Sequence, residues 1–97
     1  MSYNVKLVAD AKNDFAEAYS YYLKISRKIA TNFGKEVKYA IEHLSINPFF
    51  EIRTQNYRAI PLKNFPYIIF FEVHETHKEV KVIAIFNTNR NTEKYPK

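Results

Sequence analysis

Residues 66–73, PYIIFFEV, form a nearly continuous apolar run rich in aromatic and β-branched side chains. Such a run reads as a central strand with both faces at least partly covered, because a strand with one wet face alternates instead. Tyr67, Ile69, Phe71 and Val73 would face one way, and Ile68, Phe70 and Glu72 the other. Whatever else the chain folds into must supply cover for this strand.

The first half offers a helical layer. Residues 3–8 alternate as a short strand, and Asp10 reads as the N-cap of a helix over 11–25. Phe15, Ala18, Tyr19, Tyr22 and Ile25 recur there at three- and four-residue steps, opposite Asp14, Glu17, Ser20 and Lys24. Ser26 caps a second helix over 27–46, whose stripe is Ile29, Phe33, Val37, Ala40, Ile41 and Leu44. Asn47-Pro48 ends it, since proline disfavours helix in the residue before it. Gly34 costs that helix about 1 kcal/mol relative to Ala. With almost no loop between them, the two helices read as an antiparallel hairpin.

The second half offers the sheet. Residues 56–62, NYRAIPL, are a strand that Pro61 confines to an edge or a bulge. Residues 74–79, HETHKE, are the turn after the central strand. In the last strand, 80–86, Val80, Val82, Ala84 and Phe86 are expected on one face and Lys81, Ile83 and Ile85 on the other. The expected architecture is α+β: an N-terminal strand and a helical hairpin packed on one face of an antiparallel sheet. One helical layer leaves the second sheet face to the C-terminal tail or to a partner.

Ninety-seven residues, with 46% hydrophobic and 16% aromatic side chains, suit one ordered domain over 1–97. There is no Cys, which excludes disulfides, thiolate catalysis and Cys-based zinc sites and fits a reducing compartment. No leader-like segment opens the chain and no apolar run approaches the roughly 20 residues of a membrane span, so a cytoplasmic protein is expected. The formal charge is +5. Residues 1–51 hold seven basic and six acidic side chains, and 52–97 hold eight and four, so the surplus sits in the second half. A basic balance suits nucleic acid or an acidic protein partner.

Familiar catalytic patterns are missing. His74 and His77 are one residue short of the metalloprotease spacing and fall in a turn, so with Glu75 and Glu79 they read as solvated. His43 suits the negative end of the second helix. No glycine-framed Ser occurs, and a single Gly forbids a phosphate-cradling loop. No cofactor or metal is implied. Arg53, Arg58 and Lys63 bracket the proline-bearing strand, while Arg90 and Lys94 follow the last one, with Tyr57, Tyr67 and Tyr95 interleaved. Basic and aromatic side chains together could bind single-stranded RNA or an acidic protein; scattered charges on a solvated rim are the plainer reading.

Over nearly its whole length the chain resembles the RelE/ParE superfamily of bacterial type II toxins. The resemblance rests on ADAKNDFAEAYSYY, ATNFGKEVKYAIEHLSINP, YRAIPLKNFPYIIFFEV and VKVIAIFNTNRNTEKY, in that order. It implies the fold above with a curved sheet, and an antitoxin that lays a helix or strand on apolar toxin surface. Such modules act in growth inhibition and plasmid stabilisation. One branch cleaves messenger RNA in the ribosome, using sheet-borne cations to hold the phosphate. The other poisons DNA gyrase and performs no chemistry.

Arg58 and Arg90 match positions that are basic in the ribonuclease branch, and Tyr95 resembles its terminal aromatic residue. If this protein were such an endoribonuclease, those three would be catalytic. Ile68, however, stands where those enzymes carry a central Arg, Ile60 and Leu62 lie on the strand expected to hold a second lysine, and Asn87 replaces a common His. "FPY" is closer to the ParE branch. The resemblance therefore implies a gyrase poison in which Arg53, Lys63, Tyr67, Arg90 and Lys94 contact target or antitoxin. Alternatives are a ribosome-dependent endoribonuclease and a non-toxic module that still binds antitoxin; a homodimer is compatible with each.

Overall fold

A computed structural model describes residues 3–49 and 57–89. Arg53, Arg90, Lys94 and Tyr95 lie outside the described residues, as does the tail that could cover the second sheet face. The elements run β1 (Asn4–Leu7), α1 (Ala9–Ile25), α2 (Arg27–Ile46), β2 (Arg58–Pro61), β3 (Tyr67–His74) and β4 (Glu79–Asn87). The strands form one sheet in the order β1-β4-β3-β2. The fold is α+β, as expected, but the sheet is mixed, because β1 pairs with β4 in parallel.

Parallel pairing follows from the path of the chain. The Asn4 N–H donates to Lys78 O at 2.8 Å and the Val8 N–H to Val82 O at 3.1 Å, so β1 runs alongside the start of β4. The chain then turns directly into α1. Val8, not Asp10, is the N-cap residue, and no side chain caps it; Asp10 lies in the first turn, where its charge still meets the positive end of the helix dipole. Ser26 caps α2 as the sequence implies, its Oγ accepting from the Ile29 N–H at 3.3 Å.

The helices pack on the sheet through small residues and one aromatic centre. α1 buries Ala11 and Ala18, and α2 buries Ala30, Phe33, Val37, Ala40 and Leu44, at helical spacing. Phe33 is fully buried, with ring centroids 5.7 Å from Phe15, 5.2 Å from Tyr22 and Phe65, and 5.3 Å from Tyr67. Truncating such a residue to Ala costs about 3–5 kcal/mol. Ile25 and Ile29, expected in the stripe, are 58% and 37% exposed. They lie near Ser26 at the hairpin tip; Ile25 lines a groove with Pro66 and Asn89, beyond the ends of β3 and β4, where no described strand covers it.

β3 is central and apolar on both sides, and β2 is an edge strand. A bulge alters β4. Phe70 faces Ala84 but Phe71 faces Val82, leaving Ile83 as an extra residue. Val80, Val82 and Ile85 therefore join the core beneath the helices, while Ile83, Ala84 and Phe86 pack on the other side. Strict alternation assigned Ala84, Phe86 and Ile85 to the opposite faces, because it does not register an inserted residue.

The second face is not bare. Tyr57, Ala59, Ile68 and Phe70 are all buried there, and the Tyr57 ring meets Phe70 edge-on at 5.3 Å. They form a second, smaller core behind the sheet.

Candidate functional site

The expected site residues that are described fall at separate places. Arg58 starts β2, opposite Phe71, and its guanidinium stacks over the Phe49 ring at 5.3 Å. A cation over an aromatic face is held by the ring quadrupole, which fixes Arg58 against the chain leaving α2. Lys63 lies beyond the other end of β2, exposed, beside Tyr39 and His43 of α2. Tyr67 starts β3 at that same end of the sheet, paired with Asn87. From the Phe71 level to the Tyr67 level is four strand residues, roughly 13 Å. The sheet thus separates Arg58 from Lys63 and Tyr67.

Tyr67 is a core residue with a polar rim. Its ring is packed among Phe33 and Tyr22, leaving the residue 8% exposed, and its hydroxyl accepts from Asn87 Nδ2 at 3.4 Å. Asn87 also accepts the Asn89 N–H through Oδ1 at 2.8 Å, shaping the turn out of β4. Tyr22 beneath them has its pKa raised, first by burial and then by the neighbouring Tyr67 and Tyr21 hydroxyls. Burial thus disfavours the charged form of Tyr22.

On the opposite face, Ile68 is 3% exposed, registered between Pro61 of β2 and Phe86 of β4. Ile60 is half-buried under the helices, paired with Ile69. Both positions are apolar surroundings without a described cation among the buried side chains.

Among the grooves that the described residues form beside the sheet, two flank its helical side. One, of about 500 Å³, runs between α2 and β2 and is lined by Tyr39, Ala40, His43 and residues 60–63. Nearby, Tyr39, Ile46 and Phe49 are 73%, 71% and 49% exposed. The other, of about 440 Å³, runs between α1 and β4, with Asp10, Asn13, Asp14 and Glu17 facing residues 83–87. Asp14 Oδ2 accepts the Ile85 N–H at 3.0 Å. Sequence reasoning put Asp14 on the solvent side of α1 and missed this bond; a bulge partner 71 positions away leaves no local signal.

At the hairpin end, Glu79 Oε2 meets Lys6 Nζ at 3.2 Å, and this hydrogen bond is the main cause that lowers the Glu79 pKa. His74 ends β3 with Nε2 3.2 Å from Glu72 Oε1, and Lys78 closes the turn at φ 51°. Among the described residues no group of three metal-ligating side chains converges, and no helix is long and apolar enough to cross a membrane.

A family model described as "ParE toxin of type II toxin-antitoxin system, parDE" matches residues 5–92. The chain belongs to the ParE toxin family. Solved structures similar to it include two from toxin–antitoxin systems. The chromosomal ParDE toxin–antitoxin system from P. aeruginosa is 19% identical, with a TM-score of 0.74 over 88% of this chain and 95% of that one. The RelBE2 toxin–antitoxin complex from Mycobacterium tuberculosis is 16% identical, with a TM-score of 0.60 over 90% and 92%. No curated protein matches the chain. At these identities the two structures speak for the ParE/RelE fold, which is the one described above: two helices on a four-stranded open sheet.

Proposed function

We propose that this ParE-family toxin halts growth by poisoning DNA gyrase, cleaves no bond itself, and is neutralised by a cognate antitoxin. The burial of Ile68 carries the reading. A ribonuclease of the RelE kind needs fixed cations on the sheet, where charge develops on the scissile phosphate, and loss of one such group costs several kcal/mol in the transition state. The central-strand position is instead an apolar side chain among Tyr57, Ala59 and Phe70. Arg58 is tied to Phe49 at the far end of the sheet from Tyr67. That arrangement favours contact with a protein over a phosphate clamp.

Both similar structures come from toxin–antitoxin systems, which supports an antitoxin partner here. Exposed Tyr39, Ile46 and Phe49 give such a partner apolar surface to cover. In this reading Arg53, Lys63, Arg90 and Lys94 contact gyrase or antitoxin, and Tyr67, expected among them, is buried and supports that surface from the core. Arg58, Arg90 and Tyr95 would be catalytic only in the ribonuclease alternative.

Controlled expression in a bacterial host decides between the readings. Double-strand DNA breaks that require gyrase are expected. Intact DNA with cut messenger RNA would overturn the proposal in favour of ribonuclease, and normal growth with antitoxin binding retained would indicate a module without toxicity.

A further inference from the structure

We propose that the tip of the helical hairpin is a contact surface for an anionic lipid bilayer. Its aliphatic side chains sit among the head groups, and the cations beside them pair with lipid phosphates. The proposal goes beyond the gyrase reading and does not depend on it. Three observations carry it.

First, the tip has a single sign of charge. The stretch 18–35, from α1 across Ser26 into α2, contains Lys24, Arg27, Lys28 and Lys35 and no Asp or Glu. The acidic side chains of the two helices, Asp10, Asp14, Glu17, Glu36 and Glu42, all fall outside it. The four cations are exposed and make no ion pair with any described residue. Elsewhere cations are engaged: Lys6 bonds Glu79, Arg58 stacks on Phe49 and Lys78 on Tyr3. Arg27 and Lys28 moreover fill the first turn of α2, where the helix dipole disfavours positive charge. Their placement works against the fold, and an anionic surface laid on the tip would offset that.

Second, aliphatic side chains alternate with those cations. Leu23, Ile25 and Ile29 are 46%, 58% and 37% exposed, and with Lys24, Arg27 and Lys28 they fill every place but Ser26 in LKISRKI, 23–29. Tyr21, also exposed, adds a ring with a polar end, a kind of side chain favoured at a bilayer interface. A bilayer takes both components: the aliphatic groups leave water among the head groups while the cations stay at the phosphates. Duplex DNA would use the cations and leave the aliphatic groups wet. A contact of this depth needs no spanning helix. The patch is also separate from the exposed Ile46 and Phe49, since Ile29 and Ile46 lie roughly 26 Å apart along α2.

Third, the tip is ordered before any contact. Only Ser26 separates the helices, and it serves both. Its N–H donates to Tyr22 O at 2.8 Å to close α1, and its Oγ accepts the Ile29 N–H at 3.3 Å to open α2. Beneath it the Tyr22 and Phe33 rings pack with centroids 5.2 Å apart. Helices already folded present the side chains, so binding has little backbone left to order.

The test uses the full chain and vesicles of phosphatidylcholine, alone or mixed with phosphatidylglycerol, with co-sedimentation as the measure of affinity. Mixed vesicles should bind at least about tenfold more tightly than neutral ones, and salt should weaken the binding. Lys24→Gln with Lys28→Gln should weaken it roughly thirtyfold, whereas Lys12→Gln with Lys38→Gln, equal in charge but outside the stretch, should weaken it only a few-fold. Leu23→Ser with Ile25→Ser should cost at least about tenfold. Every substituted side chain is exposed, so the variants should keep the fold, which circular dichroism checks. Because the chain has no Cys, an environment-sensitive dye on Ile25→Cys reports on the tip alone. Its emission should shift to the blue on mixed vesicles, and that of the same dye on Glu42→Cys should not. Equal binding to neutral vesicles, unchanged affinity in either tip variant, or a dye at Ile25→Cys that stays in water would each overturn the proposal. So would a duplex DNA that displaces the vesicles and loses its own binding in the Lys24→Gln, Lys28→Gln variant, which would assign the tip to nucleic acid.

Discussion

Replacing Ile68 by Arg places on the central strand the cation that a phosphate clamp would require, and the structure sets the cost. Ile68 is 3% exposed, between Pro61 and Phe86 in register and beside Phe70 on its own strand. Removing a fully buried aliphatic side chain from water-free packing forfeits about 1.5–3 kcal/mol of transfer free energy. The guanidinium must then either lose its hydration, at several kcal/mol, or push the second core open to reach water. A destabilisation of at least about 3 kcal/mol follows, a large part of the roughly 5–15 kcal/mol that holds a domain together. Ile68→Val removes one methyl group at the same place and should cost only about 1 kcal/mol. Urea unfolding followed by circular dichroism measures both. With a slope of about 1–3 kcal/mol per M, Ile68→Arg should lower the midpoint by on the order of 2 M. If Ile68→Arg unfolds within about 1 kcal/mol of the parent, the apolar core behind the sheet is not what keeps a cation out. If the variant also gains messenger cleavage, the argument against a clamp at this position fails entirely.

Gly34→Ala should stabilise the protein. The added Cβ would meet Tyr19 Cε2 at 3.7 Å, an ordinary contact, and Gly34 has no positive φ to preserve. Relief of the helix-interior penalty is worth about 1 kcal/mol, or roughly 4–8 °C in Tm, read by calorimetry. Stability should also fall at both pH extremes. The lowered pKa of Glu79 means that the folded state gains from its charge above the ordinary carboxylate value, and this gain is lost as acid protonates it; Lys6→Met should flatten that limb of a stability–pH curve. The raised pKa of Tyr22 has the opposite sense: above the ordinary value of 10.0 the unfolded chain ionises first, so stability should decline there and Tyr22→Phe should remove the decline.

Local patterns were legible where the physics is local. Helical periodicity located Phe33, Val37, Ala40 and Leu44, Ser26 announced its cap, and the apolar run at 66–73 placed β3 at the centre. What escaped the sequence depends on distant partners. The parallel mate of β1 is at the far end of the chain, and nothing in residues 3–8 records its direction. The extra residue in β4 arises from pairing with β3, so alternation misassigned every side chain after Ile83. Asp14 looked like any solvated carboxylate until β4 was placed beside it. Basic residues suggested a shared patch, but registry puts Arg58 and Lys63 at different ends of β2.

The pairing of Asn4 with Glu79 has a consequence for how a toxin is made. The β3–β4 hairpin closes across a turn of a few residues, whereas β1 must close a loop of about 75, and closure entropy rises with the logarithm of that length. At about 5–20 residues per second, a ribosome spends several seconds extending the chain after β1 has emerged. Throughout that interval the N-terminal strand and the stripe of the helical hairpin have no sheet to rest on. β1 therefore leaves the ribosome well before its partner strand and reaches its place only after β4 has been made.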